Sequence, residues 1–194
     1  GRGRSKGFSG SMKLTAQDGI GTSGPHFFSR VVNISAAVTG NGDIFMTEDT
    51  SSTIGTVAGQ SGISTNGGNV TLLIPSSAQT LTIQNGLGVD TIRTANGDLL
   101  LHTANMNIDT GADLGINAGA GNILIRPIFT GVGISLGAEQ GGELSLTDGE
   151  LDEVSTTGVL QLGDTTTNTI TLRADVNPLN VATLKLETRD NIAT

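Results

Sequence analysis

Along this chain a glycine, a short polar residue and an apolar-x-apolar triplet recur. They read Gly42-Asp43-Ile44-Phe45-Met46, Gly68-Asn69-Val70-Thr71-Leu72, Gly97-Asp98-Leu99-Leu100-Leu101, Gly121-Asn122-Ile123-Leu124-Ile125 and Gly142-Glu143-Leu144-Ser145-Leu146. From the first apolar residue of each to the next, the spacings are 26, 29, 24 and 21. Alternation with period two sends successive side chains to opposite faces, so each motif is a strand with one apolar face. A unit this short cannot bury that face alone and must stack on its neighbours.

Further strands are predicted between the motifs at Thr53–Val57, Leu81–Ile83, Thr91–Arg93, Ile134–Leu136, Leu160–Leu162 and Ile170–Leu172. Two or three strands per unit is the content of one coil of a parallel β-helix. The pairs Asn41-Gly42, Asn66-Gly67, Asn85-Gly86 and Asn96-Gly97 supply the positive φ angles that sharp corners need. Asn-Gly is also a hairpin signal, but hairpins would repeat at about 8 to 12 residues. The motif here recurs at more than twice that distance. The expectation is an all-β chain, a parallel β-helix (β-solenoid) of about 7–8 coils of roughly 21–29 residues. It spans residues 12–194, with uncapped ends, and a basic Gly/Ser-rich segment, residues 1–11, joins its first coil.

Ser145–Val154 breaks the pattern. Thr147-Asp148-Gly149-Glu150 fits a capping box, and Asp148, Glu150, Asp152 and Glu153 suit the positive end of a helix. A single helical turn is predicted near residues 147–154, its acids on a solvated face and Leu151 and Val154 folded back on the coil.

If the first and third residues of each apolar triplet point inward, Phe45, Thr71, Leu100, Leu124 and Ser145 point outward in near register. Phe45, Leu100 and Leu124 are then candidates for lateral contact. Two covers are open: the chain's own Pro25-His26-Phe27-Phe28, or a neighbouring rod.

Composition narrows the shape. Of 194 residues, 29 are Gly and 5 are Phe, with no Trp or Tyr, so the core is built in thin layers of Ile, Leu, Val and Ala. A net charge of −8 disfavours nucleic acid as a partner. Arg2, Arg4, Lys6 and Lys13 form a local basic exception, read as a solvated end or a contact to an acidic neighbour. There is no Cys, hence no disulfide or thiolate site, and no run of 18 apolar residues, hence no membrane insertion by this segment. The start at Gly1, with no signal peptide, reads as an excised or processed piece.

The candidate chemistry is sparse. The acids at 148–153 do not match an EF-hand loop, although calcium binding there stays open. A polysaccharide-cleaving site needs paired acids beside a base, with aromatic platforms for the sugar. His26 and His102 lack partners at metal-ligand spacing. Gly59-Gln60-Ser61-Gly62 lacks the last glycine of a nucleophile elbow. No catalytic, cofactor or metal residue is predicted, and the chain reads as no enzyme.

Gly121-Asn122-Ile123-Leu124-Ile125-Arg126-Pro127, Ile134-Ser135-Leu136-Gly137, Leu144-Ser145-Leu146-Thr147-Asp148-Gly149-Glu150-Leu151 and Leu160-Gln161-Leu162-Gly163-Asp164 resemble a repeat of very large bacterial surface proteins, the filamentous-haemagglutinin-like exoproteins. The resemblance covers most of residues 12–194. It implies a right-handed β-helix serving as a long extracellular or cell-surface rod in adhesion, cell contact or sheath building. The alternative is a carbohydrate-active or carbohydrate-binding β-helix.

Met12–Thr22 and Leu184–Thr194 share 5 of 11 residues at an offset of 172. This reads as one period of a rod that continues head to tail, with the chain's two ends at opposite ends of the stack. Met12, Leu14, Leu184 and Leu186 are then the self-association candidates.

Overall fold

The period that matters is set by one column of inward side chains. In the computed structural model, which describes residues 10–194, Ile20, Ile44, Val70, Leu99, Ile123, Leu160 and Leu184 stack in register through parallel pairings. Those seven positions mark seven coils of a β-solenoid. At about 4.8 Å between strands the stack is about 29 Å tall. Segment 1–11 lies outside the described residues except for Gly10 and Ser11.

Three faces enclose the core. The first carries Ser52–Ile54, Thr80–Ile83 and Asn105–Ile108, with Ile54, Ile83 and Ile108 inward. The second carries the short strands Ile63–Ser64, Ile92–Arg93 and Ile116–Asn117, then the start of Val154–Leu162. Ser11–Ala16 and Asn33–Val38 run across both. The third carries Phe27–Ser29, Ile44–Glu48, Val70–Leu73, Leu99–His102, Ile123–Arg126, the end of Val154–Leu162, and Val181–Leu186. Its second inward column is Phe27, Met46, Leu72, Leu101, Ile125, Leu162 and Leu186. The aliphatic core is continuous from edge to edge, as the layer composition requires.

The fifth motif departs from its expected place. Leu144–Leu146 sits not on the third face but on the first, paired with Ile134–Leu136. The third-face position belongs to Gly158-Val159-Leu160-Gln161-Leu162, so the spacing there is 37 residues from Ile123 and not 21. Ser145 is accordingly buried on another face and is no part of the outward row. The strand order is also inverted. Ile134–Leu136 pairs with Leu144–Leu146 on one side and Ile170–Leu172 on the other, and Leu144–Leu146 lies against Asn105–Ile108. The chain reaches the first face one strand too far along the axis and turns back through Gly137 and Gly142, both at positive φ. It then fills the gap it skipped.

The helical turn follows this return. Helix α1, Asp148–Asp152, has Thr147 as N-cap and the reciprocal capping box predicted for it. Leu151 within it and Val154 just after it are fully buried.

One predicted strand is two. Thr53–Val57 breaks at Gly55, and Thr56–Val57 pairs antiparallel with Gln60–Ser61 around Ala58 and Gly59, both at positive φ. This hairpin folds over the first coil, where Gln60 Nε2 donates to the Leu14 carbonyl at 3.0 Å and Lys13 Nζ to that of Ala58 at 3.3 Å.

The matching end segments do not occupy equivalent positions. Met12 pairs with Ile34 on the first face and Leu14 with Ala36 on the second. Leu184 and Leu186 pair with Leu160 and Leu162 on the third. Ile20 is a third-face residue, whereas Ile192 is a first-face one. A rod of strict 172-residue period would put each pair on one face, so the likeness is one of strand-and-turn vocabulary and not of phase. The two segments do lie at opposite ends of the stack.

Candidate functional site

A groove of about 580 Å³ runs along the outside of the third face. Its construction begins with the glycine of each motif. A Cβ on Gly42, Gly68, Gly97 or Gly121 would come well inside 3.0 Å of a backbone carbonyl of the preceding coil. The corner therefore stacks backbone on backbone, and glycine is needed for close approach. Positive φ, the expected reason, applies at Gly67, Gly86 and Asn96, but not at Gly42 or Gly97.

The polar residue after each glycine ties one coil to the next. The Asn69 N–H donates to Asp43 Oδ1 (2.7 Å), that of Asp98 to Asn69 Oδ1 (2.8 Å), and that of Asn122 to Asp98 Oδ1 (2.7 Å). The Val159 N–H closes the series on Asn122 Oδ1 at 3.1 Å. This ladder forms one wall of the groove. Each side-chain oxygen satisfies a corner amide that has no strand partner there.

The groove's floor is the outward row. Phe45, Thr71, Leu100, Leu124, Gln161 and Lys185 are paired residue to residue across six coils. The structure brings the three lateral-contact candidates into this row, with Leu100 directly beside Leu124. Thr71 stands between Phe45 and Leu100, so Phe45 is two coils from the leucine pair. Gln161 and Lys185 were missed because the sequence placed Ser145 where Gln161 stands. The signal for them was Gly158 followed by Leu160-x-Leu162.

The expected aromatic cover is partial. His26 packs on Phe45, ring centroids 5.8 Å apart, and donates to or accepts from Thr47 Oγ1. Phe27 turns inward against the core, while Phe28 is 72% exposed. Leu100 and Leu124 lie beyond the loop's reach and stay half-exposed.

A second group sits beside the groove. His102 and Arg126 are register neighbours, and Arg126 forms an ion pair with Asp164. Burial opposes ionisation of Asp164, yet hydrogen bonds from Thr166 and Arg126 hold its carboxyl at about 2. Burial, then the charge of Arg126, pushes His102 below its ordinary value.

The acids at 148–153 are not a solvated face. Glu150 is only 5% exposed. Its Oε1 accepts the Ile108 N–H at 2.9 Å, and its Oε2 accepts the Thr147 N–H at 2.9 Å. Glu153, also buried, accepts from Asn85 Nδ2 (2.6 Å) and the Gly111 N–H (3.1 Å). Asp148 and Asp152 accept the N–H groups of Asn177 and Leu179. All four carboxylates therefore bind backbone or amide groups of neighbouring coils. Next to them burial, then the nearby charge of Glu150, raises the Glu139 carboxyl.

The self-association candidates lie at the two edges. Met12 and Leu14 are on Ser11–Ala16, which among the described residues pairs on one side, and Leu184 and Leu186 are on Val181–Leu186, likewise paired on one side among them. All four are half-buried against the core.

No protein-family model matches the chain, and neither a curated protein nor a solved structure matches it. Among the described residues no helix is long and apolar enough to cross a membrane.

Proposed function

We propose that this chain is a structural rod segment of a large extracellular or bacterial cell-surface protein, adhesin-like or sheath- and fibre-forming, and not an enzyme. One observation carries the reading. The apolar core runs out to both edge strands, where Met12 and Leu14 at one end and Leu184 and Leu186 at the other stand on strands that pair on one side among the described residues, the hairpin reaching the first of them through Gln60 and Ala58. An edge strand with unpaired backbone groups and half-covered core residues accepts another strand. The rod continues through these edges, either along a longer chain or by docking of subunits. The resemblance to filamentous-haemagglutinin-like repeats supports the surface location. The use of the acids at 148–153 as ties between coils supports a role for them in the scaffold.

The intact mass of native material, with its shape in negative-stain electron microscopy, tests this. Rods longer than one solenoid are expected, built either from a chain far above 19.7 kDa or from subunits of that mass. Isolated short particles, or cleavage of an acidic polysaccharide that is lost when Asp148, Glu150, Asp152 and Glu153 are changed together, would overturn it.

A further inference from the structure

The outward row of the third face complements its own reverse. Read from the N-terminal edge it is Phe45, Thr71, Leu100, Leu124, Gln161, Lys185. Consider a two-fold axis in the plane of contact, parallel to the strands and midway between the Leu100 and Leu124 coils. It sets Lys185 over Phe45, Gln161 over Thr71, and Leu124 over Leu100. These are a half-exposed cation, which within its own chain also pairs with Glu187 at 2.8 Å, on the ring that His26 packs against, an amide on a hydroxyl, and leucine on leucine. The same operation brings Asp98, on the groove wall, against Asn122, a carboxylate facing an amide donor.

We propose that a second copy of this chain packs antiparallel on this face, about that axis. The proposal deepens the rod reading by naming its lateral contact, and it is independent of how the rod continues along its axis. The row favours a copy of itself over a glycan, because among the described residues that line the groove only Phe45 offers a ring on which a sugar could stack. A C2 contact is isologous, so each off-axis pairing occurs twice. His102 would face Arg126 on the far flank. That contact is tolerable because Arg126 is already paired with Asp164, and because burial and Arg126 hold His102 towards its neutral form. The row is only about 24 Å long, five strand spacings. One face therefore falls below the size of a standard interface. Association of single segments is weak, and it strengthens when many coils are linked in one rod.

The absence of cysteine from the sequence allows a direct test. Phe45→Cys and Lys185→Cys are prepared separately, each in the 194-residue chain, and oxidised alone and as a mixture at high protein concentration. The mixture is expected to give a disulfide-linked dimer and each variant alone to stay monomeric, because each residue's mate across the axis is the other. Adding Leu100→Glu and Leu124→Glu to both partners should lower the dimer yield at least tenfold with the far-ultraviolet circular dichroism unchanged. Equal crosslinking of either variant alone would mean parallel packing. No crosslink at millimolar concentration would assign the groove to a partner other than a second copy. A yield indifferent to Leu100→Glu and Leu124→Glu would mean random collision. Each of these three outcomes overturns the proposal, while the mass and shape of native material continue to test the rod reading on their own.

Discussion

Gly97 shows what a single residue contributes to this fold. Its Cα faces the carbonyls of Gly67 and Gly68 in the coil below, and there is no room for a methyl group between them. Gly97→Ala must push two coils apart or twist the corner, and overpacking of this kind costs about 1–3 kcal/mol. Gly141→Ala, where nothing lies within 4 Å, is the control and should stay within about 0.5 kcal/mol of the parent. Chemical denaturation of the two variants checks the contrast; equal stabilities would mean that the corner relaxes freely. The glycine was visible in the sequence at every motif. Its reason was not, because the carbonyls that forbid a side chain belong to residues 29 and 30 positions earlier.

At the scale of elements, the first four motifs were legible because local alternation and coil length agree there. The fifth failed because Gly142-Glu143-Leu144-Ser145-Leu146 satisfies the same local rule on a different face. Which face a triplet joins depends on the length of chain before it. Gly158 went unread because an apolar Val159 follows it in place of the usual Asp or Asn. Helix α1 divides in the same way: its capping box lies within four residues and was predicted, whereas the burial of Glu150 depends on the Ile108 amide, 42 positions away. Glu150→Ala should therefore do more than uncap a short helix. It leaves the buried Ile108 N–H without its acceptor, for an expected loss of about 2–3 kcal/mol. Glu150→Gln retains one acceptor oxygen and should lose less. Thermal unfolding of the pair decides this; equal small losses would show that the tie between coils is dispensable.

At the scale of the whole molecule, stability in a solenoid passes only between neighbouring coils, so it falls towards the ends. Amides of Leu99–His102 and Ile123–Arg126, with a paired strand on each side, should exchange hydrogen most slowly. Those of Ser11–Ala16 and Val181–Leu186, each paired on one side among the described residues, should exchange fastest among the long strands. The same measurement on assembled material separates two directions of growth. Axial continuation gives the edge strands new backbone partners and slows their exchange, with little change in the middle of the stack. Lateral pairing across Leu100 and Leu124 buries side chains on a face whose amides are already bonded, so it leaves the edges fast. Mass-resolved hydrogen exchange on monomeric and assembled fractions should show protection rising at both edges at once. Protection gained only at mid-stack, or at one edge alone, would contradict the proposed growth through both edge strands.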